Sequence, residues 1–249
     1  MTSLRFLLLH GWSLSGAAMA PLAAELTAAG ARVDCPDLPG HGAAEYPASF
    51  AGAGALLDDL MSDGAPRVLI GWSMGALIGW RWLAAHPRAP VRAMVSLDMS
   101  PRPLPAPGWD FAMGPQAAPL LSRAPRYRSH WQETAPAIAR GIFAPGREAL
   151  AEDLLPIIRR HDGAVMAALW EEILAQDLRD EMSRIPQPQL FIHGAQSQVC
   201  PPGCANWLAQ KALSGQGLIL PGTGHAPHIE APRATARAIL TALEALSLQ

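Results

Sequence analysis

Two residues in this chain stand in settings that suit acyl-transfer chemistry. Ser73 sits in Gly71-Trp72-Ser73-Met74-Gly75, and His225 sits in Gly222-Thr223-Gly224-His225-Ala226-Pro227. A serine hydroxyl is a weak nucleophile until a base takes its proton, and an imidazole titrates where that proton can be taken and returned near neutral pH. The glycines flanking Ser73 permit a strained turn that pushes the hydroxyl into the open, where a Cβ at either position would collide with a neighbouring element. A residue following such a turn opens a helix, so the Met74 N–H is aimed where an oxyanion would develop. His10-Gly11-Trp12 ends an early apolar run and offers the N–H of Trp12 as a second donor. His41 and His228 are the competing histidines. His41 stands in a Gly-rich turn and His228 reads as a loop-packing residue.

The elements around these residues follow from periodicity. Short apolar runs at 4–9, 31–35, 67–70, 91–97, 190–193 and 218–220 read as strands, and helical spacing recurs at 17–29, 51–62, 76–85, 206–213 and 232–246. Alternation of this kind implies α/β architecture, a mostly parallel central sheet with helices on both faces. Functional groups in such sheets gather beyond the carboxyl ends of the strands. His10, Ser73 and Asp98 all fall at predicted strand C-termini.

Composition narrows the classes. Half of the 249 residues are hydrophobic, 16% are charged and the net charge is −2, so a sizeable core is available and nothing draws the chain to nucleic acid or an anionic membrane. No run reaches the roughly 20 apolar residues of a membrane span. Met1 to His10 lacks the basic region and cleavage site of a signal peptide, which leads us to expect a cytoplasmic protein. Cys35, Cys200 and Cys204 read as buried or loop thiols. With no second cysteine pair or histidine near them in sequence, no metal and no organic cofactor are expected.

From Pro101 the alternation breaks. Seven prolines make the stretch to about Arg126 irregular, and helices are expected at 131–142, 148–160 and 163–176. We read 1–100 and 186–249 as the core and 101–185 as a helical cap (lid) over the site. Trp12, Trp72, Trp109, Phe111, Trp131 and Trp170 are candidates to line an apolar pocket, with Trp72, Trp109 and Trp131 singled out. Residues 101–147 hold six arginines against Asp110 and Glu133, so Arg123, Arg126 and Arg128 offer a docking face for an acidic partner.

Taken together, Leu7-Leu8-Leu9-His10-Gly11-Trp12, Pro36-Asp37-Leu38-Pro39-Gly40-His41-Gly42, Gly71-Trp72-Ser73-Met74-Gly75 and Gly224-His225-Ala226-Pro227 resemble the α/β-hydrolase fold in content and order. More narrowly, these motifs and Gln176-Asp177-Leu178-Arg179 resemble the pimeloyl-acyl-carrier-protein methyl ester esterases of biotin synthesis. The resemblance implies a serine carboxylesterase working through an acyl-enzyme on a small or carrier-linked ester, with acyl carrier protein as a partner. Thioester, enol-lactone or C–C hydrolysis on the same fold stays open, as does a non-catalytic binding role.

One departure stands out. The resemblance implies an aspartate in the loop after the strand at 190–193, but Gly194-Ala195-Gln196-Ser197-Gln198-Val199-Cys200-Pro201 places Ser197 there, and no carboxylate occurs from 186 to 223. Asp98, at the end of the strand after the Ser73 helix, is the expected replacement. Glu230 reads as a structural residue.

Overall fold

The computed structural model describes residues 4–246, and residues 1–3 and 247–249, the outer ends of the two expected core segments, lie outside them. Six strands form one parallel sheet: β1 (Arg5–Leu9), β2 (Arg32–Asp34), β3 (Arg67–Trp72), β4 (Val91–Leu97), β5 (Gln189–Gly194) and β6 (Gly215–Leu220). Their order across the sheet is β2-β1-β3-β4-β5-β6. The three central strands β3, β4 and β5 are almost wholly buried, as their continuous apolar character requires when helices cover both faces.

Crossovers of one hand that run in opposite directions along a sheet deposit their helices on opposite faces. The β1–β2 connection carries α1 (Ala20–Ala28), which packs on the closing helix Pro232–Ala245. The β2–β3 connection runs the other way and carries α2 (Phe50–Leu60), which packs on α3 (Met74–Ala85). Ser49 caps α2, its hydroxyl accepting from Gly52 N–H at 3.0 Å. The direction of winding reverses between β1 and β3, and in open sheets ligands bind above such a reversal.

All six expected strands form, with ends displaced by a few residues at most. The stretch expected to be irregular differs: α4 (Ala117–Leu121) and α5 (Arg123–Ser129) are helical despite Pro119 and Pro125. Each proline is the third residue of its helix, where the N–H would have no intrahelical acceptor, so the missing donor costs little.

Between β4 and β5 the helices α4, α5, α6 (Trp131–Gly141), α7 (Leu150–Arg159) and α8 (Gly163–Leu174) form a packed group. Its two ends meet at a neck where Leu178 N–H donates to Pro101 O at 2.9 Å and Asp177 pairs with Arg102 and Arg179. Trp12, projecting from the core, inserts into this group. Its ring centroid lies 5.0 Å from Tyr127, 5.6 Å from Trp131 and 5.2 Å from Trp170, and its indole N–H donates to Met166 O at 2.9 Å. Among the described residues no helix is long and apolar enough to cross a membrane.

Candidate active site

Ser73 has φ 52° and ψ −117°, a conformation that costs an L-residue about 1–3 kcal/mol and persists only where the surroundings over-determine it. Those surroundings are visible. Ser73 N–H donates to Leu97 O at 3.0 Å, tying the turn to β4. A Cβ on Gly71 would meet Gly75 and Ala76, and one on Gly75 would strike the Leu9 carbonyl of β1. Three non-glycine residues among those described have positive φ: Ser73 and Asp98, which directly follow β3 and β4, and Ser13, in the turn after β1. Strain is thus concentrated on one edge of the sheet.

Strand register puts the remaining groups beside the turn. Leu97 pairs with Ile192, so the next residues, Asp98 and His193, stand side by side, and Asp98 N–H donates to Ile192 O at 2.8 Å. The turn after β6 brings His225 to the same place. His225 Nδ1 lies 3.7 Å from Asp98 Oδ2, and His193 Nδ1 lies 3.6 Å from Asp98 Oδ1. Asp98 and His193 are fully buried and His225 is nearly so. Burial holds His193 below the ordinary imidazole range, although the Asp98 charge pulls the other way.

The His225 loop is fixed from several sides. Its N–H donates to Ile142 O at 2.9 Å, and its carbonyl accepts from the Trp72 indole at 2.7 Å. Glu230, read from sequence as structural, spans the loop and the insertion: Oε1 accepts from Gly224 N–H at 2.8 Å and Oε2 from Ala144 N–H at 3.0 Å. With Nδ1 turned to Asp98, Nε2 is the nitrogen left for the space beside Ser73.

Ser73 and His225 line one cavity of about 550 Å³, within the usual range for small-ligand sites. Gly11, Trp12 and Trp72 contribute from the core, and Met113, Tyr127, Ile138, Ile142, Trp170 and Ile173 roof it from the insertion. Met74 is the first residue of α3, where a backbone N–H has no intrahelical acceptor. Gly11, Trp12 and Ser13, in the turn after β1, line the same cavity as Ser73.

Several expected site residues lie elsewhere. Trp109 packs on Phe111 and Trp207 and borders a separate depression, because its indole N–H is drawn to Arg102 O at the neck. Trp131 is interior to the insertion, its N–H satisfied by Ile158 O at 2.9 Å, and does not line the cavity. Trp72 does line it, and Trp170, not singled out from sequence, does too. Arg123 and Arg126 border the cavity, whereas Arg128 stands apart, its Nη2 donating to both carboxylate oxygens of Glu171 at 2.8–2.9 Å.

The other histidines have structural places. His10 Nδ1–H donates to Gly11 O and Nε2 accepts from Leu38 N–H, both at 2.8 Å, which defines a neutral tautomer. Burial lowers its pKa to about 4. His41 Nε2 accepts from Ser13 N–H at 3.1 Å. His228 is buried against Trp72, with ring centroids 4.4 Å apart and its pKa pushed down to about 3 by desolvation. Ser197, at the position where a carboxylate was expected, accepts from Val199 and Cys200 N–H at 3.2 Å each and so braces its own loop.

The expectation that no histidine stands near Cys200 and Cys204 is corrected by the fold. His193 lies with both thiols in a buried cluster, brought there by the register of β5.

The family profile described as "Alpha/beta hydrolase family" matches residues 6–238. A pimeloyl-[acyl-carrier protein] methyl ester esterase of Chromobacterium violaceum is 28% identical, over 95% of this chain and 93% of that protein. One from Aromatoleum aromaticum is 29% identical, over 90% and 92%. Among solved structures, an esterase from Exiguobacterium antarcticum superposes with a TM-score of 0.88 at 18% identity, covering 97% of this chain and 92% of that one. The enol-lactonase from Burkholderia xenovorans LB400 superposes with a TM-score of 0.82 at 23% identity, covering 98% and 92%.

Proposed function

The chain belongs to the alpha/beta hydrolase family, and from that premise we propose that it is a serine-dependent carboxylic ester hydrolase whose triad acid is Asp98. The observation that carries the reading is the convergence of Ser73 and His225 on one cavity, with Asp98 facing His225 Nδ1 at 3.7 Å. Ser73 Oγ attacks the ester carbonyl carbon while His225 Nε2 takes its proton. The oxyanion of the tetrahedral intermediate accepts from the N–H groups of Trp12 and Met74. His225 then returns the proton to the departing alkoxide, leaving an acyl-enzyme and a free alcohol. Water, deprotonated by His225, attacks the acyl carbon, and the acid leaves as Ser73 recovers its proton. Asp98 holds the imidazole and offsets the positive charge it carries between steps.

The relatives' names point the substrate toward a methyl ester on a carrier-linked acyl chain. Support from this chain is the apolar cavity under a rim carrying Arg123 and Arg126, which suits an acyl chain delivered by an acidic carrier. Arg128, engaged with Glu171, contributes less.

The test is covalent labelling followed by comparison of substrates. A phosphonate ester should modify Ser73 once per chain, found by peptide mass spectrometry, and Ser73→Ala should be refractory. Arg123→Ala/Arg126→Ala should then lower turnover of a carrier-linked methyl ester while sparing a small aryl ester. A chain that takes no label and turns over no ester would be a binding protein on this scaffold. Equal losses on both esters would remove the carrier.

A further inference from the structure

His193, Cys200 and Cys204 take no part in lining the Ser73 cavity, yet the fold draws them together. All three are fully buried, and their ligating atoms lie within 4.8 Å of one another. The convergence has a clear local cause. Ser197 gathers the N–H groups of Val199 and Cys200, and Cys204 N–H donates to Pro201 O at 3.0 Å as α9 (Cys204–Lys211) begins. The intervening Pro201-Pro202-Gly203 turn thus directs both thiols inward beneath the end of β5.

A second observation concerns unmet polar groups. Both ring nitrogens of His193 and both oxygens of Asp98 are buried without a hydrogen-bond partner among the described residues. Buried polar groups are ordinarily paired, so an unpartnered imidazole beside two thiols marks a site that something else completes. The donor set is two thiols and an imidazole, which favours a thiophilic borderline cation over a hard one. Zinc-class ions take thiolates at about 2.3 Å and imidazole nitrogen at about 2.0–2.1 Å, and inward movement of the three side chains brings them to that spacing. A ligating histidine commonly turns its other ring N–H to a carboxylate, and Asp98 Oδ1 stands 3.6 Å from His193 Nδ1. Cys200 and Ser197 also border an outer depression that reaches the surface beside Trp109, an entry route for an ion.

We propose that His193 Nε2, Cys200 Sγ and Cys204 Sγ form a site for one thiophilic divalent cation of the zinc class, with Asp98 receiving the Nδ1–H of His193 behind it. Binding displaces the two thiol protons to solvent, and a water completes the fourth coordination position. The three ligands are distinct from Ser73 and His225, and their cation binding does not depend on the chain being an esterase. The two meet at Asp98, whose carboxylate faces His193 on one side and His225 on the other.

Cobalt(II) titration tests this directly. The full chain is reduced, freed of metal and titrated with Co²⁺, and the thiolate-to-cobalt charge-transfer band and the visible d–d bands are followed. One Co²⁺ per chain is expected, displaced by one equivalent of Zn²⁺. Cys200→Ser, Cys204→Ser and His193→Gln should each abolish the charge-transfer band or weaken Zn²⁺ binding by more than the roughly 10–100-fold typical of losing a ligand's hydrogen-bond partner. Cys35→Ser and Ser73→Ala should titrate as wild type, the latter separating the site from the hydrolase reading. A folded wild type with no charge-transfer band overturns the proposal, as does a band that survives Cys200→Ser and Cys204→Ser.

Discussion

His225 Nδ1 lies 3.7 Å from Asp98 Oδ2, and the two residues follow strands two positions apart in the sheet, β6 and β4, with β5 between them. The separation exceeds a hydrogen bond but is close enough for strong attraction once the imidazole is protonated, in a place where Asp98 is wholly buried. β4 and β5 are adjacent, so a carboxylate on either can approach the same imidazole. That adjacency gives a physical route by which Asp98 stands in for an acid on the β5 loop.

Replacing Ser73 by glycine separates chemistry from strain. At φ 52° glycine carries no Cβ penalty, so Ser73→Gly should raise the unfolding free energy by about 1 kcal/mol while removing ester turnover. Chemical denaturation and a p-nitrophenyl acetate assay measure the two effects. A variant less stable than wild type would show that the turn is not strained.

Glu230 ties the histidine loop to the insertion through Gly224 and Ala144. Glu230→Ala leaves two buried N–H groups unpaired, at about 1–3 kcal/mol each. It should also let His225 shift, and a displacement near 1 Å can lower turnover roughly 100-fold. Glu230→Gln keeps one acceptor oxygen and should fall between Ala and wild type in both stability and kcat, with KM little changed. Equal kcat in all three would exclude a positioning role.

Stability should fall with acid over a defined window. Burial holds the folded-state pKa of His10 at about 4, with His161 lowering it further and Asp37 raising it, against about 6.5 when unfolded. His41, facing His10 and His161, is also depressed by burial. Because the unfolded chain takes these protons first, the contribution is whole above pH 6.5 and is lost progressively as pH falls toward 4. For His10 the difference is on the order of 3 kcal/mol. Urea midpoints measured from pH 7 to pH 4 should decline through this range, and a flat profile would contradict the neutral assignment.

The sheet was readable because its strands are continuous apolar runs bounded by glycine and proline, and the parallel alternation left few other arrangements. Ser73 and His225 were readable because their glycine neighbours are required by the backbone. Asp98 was reachable only through the expected sheet order, since a lone strand-end aspartate has many uses. Trp109 and Trp131 misled because an aromatic in an insertion satisfies its N–H wherever an acceptor lies, here Arg102 O and Ile158 O, and sequence does not reveal that partner. The clustering of His193 with Cys200 and Cys204 was hidden for a related reason: it depends on how the turn after β5 folds back, not on spacing.

The central claim, that Asp98 serves His225 and Ser197 does not, is tested most directly by steady-state kinetics on a short-chain p-nitrophenyl ester with Asp98→Asn beside Ser197→Ala. Removal of a triad carboxylate costs up to about 10⁴ in kcat, and Asp98→Asn should approach that loss with KM little altered. Ser197→Ala, which loses only the brace on its own loop, should stay within about tenfold of wild type. Near-normal turnover in Asp98→Asn, or a collapse in Ser197→Ala with the fold intact, would contradict the account.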